Sequence, residues 1–138
     1  MKLLGEFGQV VTIERSDFGK PGTPAGEDLL LNITIVVGGY SAADQAWVVA
    51  NDWRGFMHQL RALEHVRQGQ AELVGASPQN LKLTFWATDH AGHMAVSGFL
   101  GWRSPDGFNQ KCEFGFAFDA GMLSIVVQEL EALGYPTT

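Results

Sequence analysis

A curled antiparallel β-sheet with two helices packed on its apolar face, in the order βββ-α-ββββ-α, is the α+β fold that this chain predicts. Three observations carry the prediction. Residues 111–118 alternate strictly, with Cys112, Phe114, Phe116 and Phe118 on one face and Glu113, Gly115 and Ala117 on the other. The period then changes at Asp119, an acceptable N-cap. Met122, Leu123, Val126, Leu130 and Leu133 recur at helical spacing until Gly134 and Pro136 stop the helix. Upstream, glycine-bearing turns separate serial short strands, which makes a meander and hence an antiparallel sheet.

The 138 residues, 46% of them hydrophobic and 17% charged, fit a single globular domain spanning 1–138 that buries its own core. Seventeen glycines and nine phenylalanines favour strands and tight turns over a helical bundle. The single cysteine, Cys112, excludes an internal disulfide framework, and its place on the apolar face of a strand reads as a buried core thiol. After residues 1–4 the chain turns polar, which is too short an apolar run for a signal peptide, and no stretch approaches the length of a membrane span. A cytoplasmic protein with no membrane partner is the expectation. Nine basic against fifteen acidic residues give a net charge of −6. The arginines are scattered among acids, so no basic stripe follows a phosphate backbone and no nucleic-acid partner is expected.

Along the chain, residues 9–15 (QVVTIER) form a plausible first strand. Residues 17–28, with Gly19, Pro21, Gly22, Thr23, Pro24 and Gly26, read as an irregular loop. Residues 29–37 place Leu29, Leu31, Ile33, Ile35 and Val37 on one face, and Gly38-Gly39 turns the chain into a third strand with Trp47 and Val49 in phase. Asn51 and Asp52 are N-cap candidates for a helix whose stripe is Trp53, Phe56, Met57, Leu60, Leu63 and Val66, ending near Gly69. Four strands follow, over 71–75, 81–87, 93–102 and 108–118, with hairpin turns at 89–92 and 104–107. Met94, Val96, Leu100 and Trp102 share one face of the third of these. No internal repeat is visible.

Candidate sites are few. His90 and His93, beside Asp89, have the look of metal ligands. A catalytic zinc needs a third protein ligand that the spacing does not supply, and a polar hairpin tip explains them better. No G-x-S-x-G elbow, P-loop or Rossmann fingerprint is present, so no catalytic residue is assigned and no cofactor is implied. The sheet's second face is the stronger candidate. Thr34, Trp86, Ser97 and Phe99 project from it, away from the helices. Such a mixture of aromatic, small and hydroxyl side chains suits a partner, unless the N-terminal strand or the loop covers it. Trp47 and Trp53 are assigned to the core by phase.

Residues 47–63 (WVVANDWRGFMHQLRAL), 81–100 (LKLTFWATDHAGHMAVSGFL) and 112–133 (CEFGFAFDAGMLSIVVQELEAL) resemble the small bacterial WapI-type immunity proteins and related families. The matching positions are Trp53, Phe56, Leu60, Leu63, Leu81, Leu83, Gly92, Phe114, Phe116, Asp119, Leu123 and Leu130, within residues 29–133. Residues 1–28 have no counterpart. The resemblance implies a non-enzymatic cytoplasmic protein that binds a cognate polymorphic or contact-dependent toxin and occludes it. No toxin-binding residue carries over. The acidic balance suits a basic nuclease toxin. The rival expectation is a small-molecule or metal-binding protein or enzyme with a pocket between sheet and helices, and His90, His93 or Trp86 at its mouth. Homodimerisation through an open sheet edge or face is a further expectation.

Overall fold

The computed structural model describes residues 1–18, 27–77, 79–89 and 91–134, with the backbone alone at 17 and 18. The predicted α+β class and its antiparallel pairing hold, with the strands divided between two four-stranded sheets. The first sheet runs β1 (Lys2–Leu4), β2 (Val10–Phe18), β3 (Leu29–Val37) and β4 (Tyr40–Val48) in sequential order. Helix α1 (Ala50–Val66) leads into the second, β5 (Gln70–Val74), β6 (Leu81–Ala87), β7 (Met94–Arg103) and β8 (Asn109–Phe118). A single 3₁₀ turn, Ala120–Met122, then opens helix α2 (Leu123–Leu133). The same ββββα order therefore occurs twice, although the sequence shows no repeat. The short β1, which the sequence did not announce, pairs with β2 through Lys2↔Thr12 and Leu4↔Val10.

Alternation fixes the inward faces. Leu29, Leu31, Ile33 and Ile35 of β3, Leu81, Leu83 and Phe85 of β6, and Phe114, Phe116 and Phe118 of β8 are buried as expected. These residues, together with Leu3, Val11 and Ile13 and the helix stripes, form one continuous core. Helix α1 contributes Trp53, Phe56, Met57, Leu60 and Leu63, and α2 contributes Leu123, Val126, Val127 and Leu130. A chain of aromatic contacts runs from Trp53 to Phe56 (5.8 Å), to Phe85 (6.0 Å) and edge-on to Phe118 (6.2 Å), joining α1 to the second sheet. Gly98 lets β7 approach β6 closely, since a Cβ there would lie 1.8 Å from the Lys82 carbonyl oxygen.

Several expectations need correction. The two-residue Gly38-Gly39 turn pairs Val37 with Tyr40, so inward Leu31 faces Ala46 and Leu29 faces Val48. Ala46 and Val48 are therefore buried, whereas Trp47 and Val49 point outward at 42% and 38% exposure. Trp102 is in phase with Leu100 but 55% exposed, because β7 and β8 project past the end of the core there. Val66 is likewise exposed at the last turn of α1. Neither Asn51 nor Asp52 caps α1. The N-cap is Val49, and the Ala50 N–H donates instead to Asp28 Oδ1 at 2.8 Å. Cys112 is half-buried on the inward side of edge strand β8 rather than enclosed. Most of the loop predicted at 17–28 lies outside the described residues. No helix among the described residues is long and apolar enough to cross a membrane.

Candidate functional site

The outward face of the second sheet can be assembled from register alone. Gln70, Trp86, Ala95 and Ala117 form one row across β5–β8. Glu72, Thr84, Ser97 and Gly115 form the next, and Val74, Lys82, Phe99 and Glu113 the third. Trp86, Ser97 and Phe99 are thus brought onto one surface, each half-exposed. Thr34 is not part of it. It lies exposed on β3 between Thr12 and Ala43, on the other sheet.

The face is held together by exposed polar contacts. The Lys111 ammonium sits 4.1 Å from the centre of the Phe99 ring and 3.3 Å from the Glu113 carboxylate. Lys82 reaches Glu72 at 3.9 Å. Cations and anions alternate, so the face has no single charge sign. At its end the projecting part of β7–β8 and the loop before β6 enclose a cleft of about 260 Å³, lined by Gln79, Asn80, Trp102, Arg103, Gln110 and Lys111. The Asn80 amide holds that loop by donating to the Gly101 carbonyl at 3.0 Å, while the Gly101 N–H donates to the Asn80 carbonyl at 2.8 Å. Trp102 and the cleft are the features that sequence alternation missed, because it does not mark where the core stops.

The histidine pair resolves differently. His90 lies outside the described residues. His93 Nδ1 sits 2.6 Å from Asp89 Oδ2, while Asp89 Oδ1 accepts the backbone N–H groups of Ala91 (2.9 Å) and His93 (3.3 Å). The Asp89 carboxylate is therefore committed to shaping the β6–β7 turn. Its hydrogen bond to the imidazole, followed by its charge and more weakly that of Glu6, raises the His93 pKa. The same bond lowers that of Asp89, with its two backbone donors adding to the effect. No group of three or more metal-capable side chains gathers among the described residues. A second cleft, of about 520 Å³ beside the two helices, is lined by Trp53, Arg54, Met57, His58, Arg61 and Glu131. Neither His93 nor Trp86 lines either of these two clefts.

Comparison with known proteins bears on this geometry. No curated protein matches the chain. Among solved structures, the crystal structures of Trypanosoma bruciei MRP1/MRP2 share its fold with a TM-score of 0.52 and 12% sequence identity, covering 96% of this chain and 80% of that one. A likeness at that identity speaks for fold alone. The model of the immunity protein WapI-like family matches residues 2–134, which includes the N-terminal strands that the sequence pattern left without a counterpart. The chain belongs to the WapI-like immunity protein family.

Proposed function

We propose that this protein is an immunity protein that neutralises a cognate toxin domain by binding and covering it, without catalysing a reaction or using a cofactor. The observation that carries this reading is the family match over residues 2–134. The open outer face of the second sheet supports it. Trp86 and Phe99 provide broad apolar contact area there, rimmed by the Lys82–Glu72 and Lys111–Glu113 pairs and by the hydroxyls of Thr84 and Ser97. Aromatic anchors within a polar rim are how protein interfaces concentrate their affinity. The toxin acts inside the cell that makes its antidote, so the working compartment is the cytoplasm. A net charge of −6 speeds encounter with a basic toxin, such as a nuclease.

The experiment is co-expression with a toxin domain encoded beside this chain, followed by titration of the purified pair. Growth is rescued and a stable complex forms. Trp86→Ala and Phe99→Ala each weaken it by about tenfold or more, the usual cost of losing an anchor. Thr34→Ala, on the other sheet, leaves affinity unchanged. Failure of rescue would sink the immunity reading. Rescue with full affinity in both aromatic variants would move the contact elsewhere.

A further inference from the structure

β8 is an edge strand, and its free side is specific. The Gly101 N–H turns toward Asn80 and the Ser104 N–H donates to the Phe108 carbonyl, at 2.8 and 2.9 Å. Those two bonds set the hydrogen-bonding parity of the β7–β8 ladder. Leu100–Cys112 is a hydrogen-bonded pair, and Gly101–Lys111 is not. Asn109, Lys111, Glu113, Gly115 and Ala117 accordingly aim their backbone N–H and C=O groups away from β7. All five are exposed, and none of their N–H groups has a backbone partner outside the ladder among the described residues. An unpaired edge ten residues long is a template for another strand.

The charges on that edge select which strand. An incoming antiparallel copy of β8 must set outward-aimed residues opposite one another, and the alignments that then oppose one charged residue to another are those centred on Lys111, Cys112 or Glu113. The first opposes lysine to lysine, and the last opposes glutamate to glutamate. Centring on Cys112 alone puts Lys111 of each copy directly across from Glu113 of the other, twice per pairing. Directly opposed residues of a hydrogen-bonded pair stand about 5.5 Å apart between Cα atoms, closer than the roughly 6.7 Å between neighbours two apart on one strand. The intrachain Lys111–Glu113 contact at 3.3 Å is thereby exchanged for a better-placed pair across the seam. The same alignment sets Phe108, now 66% exposed, opposite Phe116 of the other copy on the inward side.

We infer that two copies of the chain join edge to edge through β8, antiparallel about a two-fold axis at Cys112, making one continuous eight-stranded sheet. The outer face bearing Trp86 and Phe99 stays open in that arrangement and is doubled. This inference does not depend on the toxin.

Sedimentation of the purified full chain over a wide concentration series tests it. The native chain sediments as a dimer. Lys111→Glu and Glu113→Lys each weaken self-association by about tenfold or more, because like charges then face each other twice. An equimolar mixture of those two variants restores the dimer, since each supplies the charge the other lacks. Circular dichroism stays unchanged, as both side chains are exposed. A short bis-maleimide links the native dimer covalently through Cys112, because opposed residues of a non-hydrogen-bonded pair lie about 4.5 Å apart. A native chain that stays monomeric throughout would overturn the inference. So would a dimer that both single charge reversals leave intact.

Discussion

Asp28 caps a helix to which it does not belong: its Oδ1 accepts the N–H of Ala50, 22 residues further along, at 2.8 Å. The first-turn amides of a helix have no internal partner, and Val49 at the N-cap supplies no side-chain oxygen. Asp28→Ala is expected to cost about 1 kcal/mol. That lowers Tm by about 3–4 °C for a domain of this size. Asp28→Asn keeps an acceptor and loses less than half as much. Asn51→Ala, at the residue the sequence suggests as the cap, stays within about 0.5 kcal/mol. Thermal denaturation of the three variants checks the ordering, and an equal loss at Asn51 would contradict it.

Arg67 closes the other end of α1 with its backbone in the left-handed region at φ 61°. Its side chain donates from Nε to the Glu64 carbonyl and from Nη1 to the Ala120 carbonyl, both at 2.9 Å, tying the helix end to the turn before α2. Arg67→Ala removes both bonds and retains the backbone strain, for a loss of about 2 kcal/mol. Arg67→Gly removes the same bonds but relieves the strain, so it should be milder by about 0.5–1 kcal/mol. Urea denaturation of the pair separates the two contributions, and a glycine variant less stable than the alanine one would refute this account.

Trp53 and Trp47 should respond oppositely to truncation. Trp53 is 7% exposed and packs at a tilt against Phe56, whereas Trp47 is 42% exposed on the outer face of the first sheet. Trp53→Ala leaves a cavity in the core and is expected to cost about 3–5 kcal/mol. Trp47→Ala should cost about 1 kcal/mol or less. Similar losses at the two positions, measured by chemical denaturation, would restore Trp47 to the core.

The His93–Asp89 pair sets a pH window. The folded-state pKa of His93 is raised, so its contribution is full below about pH 6.5 and fades as pH rises through the raised value. That of Asp89 is lowered, so its contribution is full above about pH 3.9 and fades as pH falls through the lowered value. The pair therefore acts fully between those limits, and salt weakens it because both side chains are exposed. Titration of the His93 ring by NMR should give a midpoint above 6.5 that falls back in Asp89→Asn. A midpoint indifferent to that substitution would rule out the coupling.

How much of this was legible varied with the range of the interaction. Strands and helices with a sustained period, such as residues 29–37 and the α1 stripe, could be read directly from alternation. β1 could not, since three residues carry no period. Phase within residues 41–49 puts Trp47 together with Val49 but does not fix which of the strand's two faces is inward. Counting outward from the two-residue turn at Gly38-Gly39 gives the observed parity at once. Trp86, Ser97 and Phe99 were grouped correctly because β6 and β7 form a hairpin, whose register is local. Thr34 was grouped with them wrongly, because alternation tells which face a residue occupies and is silent on which sheet. Asp28 as a cap was invisible for a related reason: the donor it serves is distant in sequence.

Gln59 of α1 gives the two edges of the second sheet unequal fates. Its Oε1 accepts the N–H of Glu72 at 3.0 Å, an outward-aimed donor of β5. Helix α1 thus reaches the rim on the β5 side, while among the described residues no element pairs with the outer side of β8. A sheet bare on both rims can recruit copies without limit and grow into a fibre, whereas one with a single bare rim exhausts it in the first isologous pairing. The amide of one glutamine thereby closes a donor on the β5 rim, and replacing it would leave both rims of the second sheet with outward-aimed backbone donors.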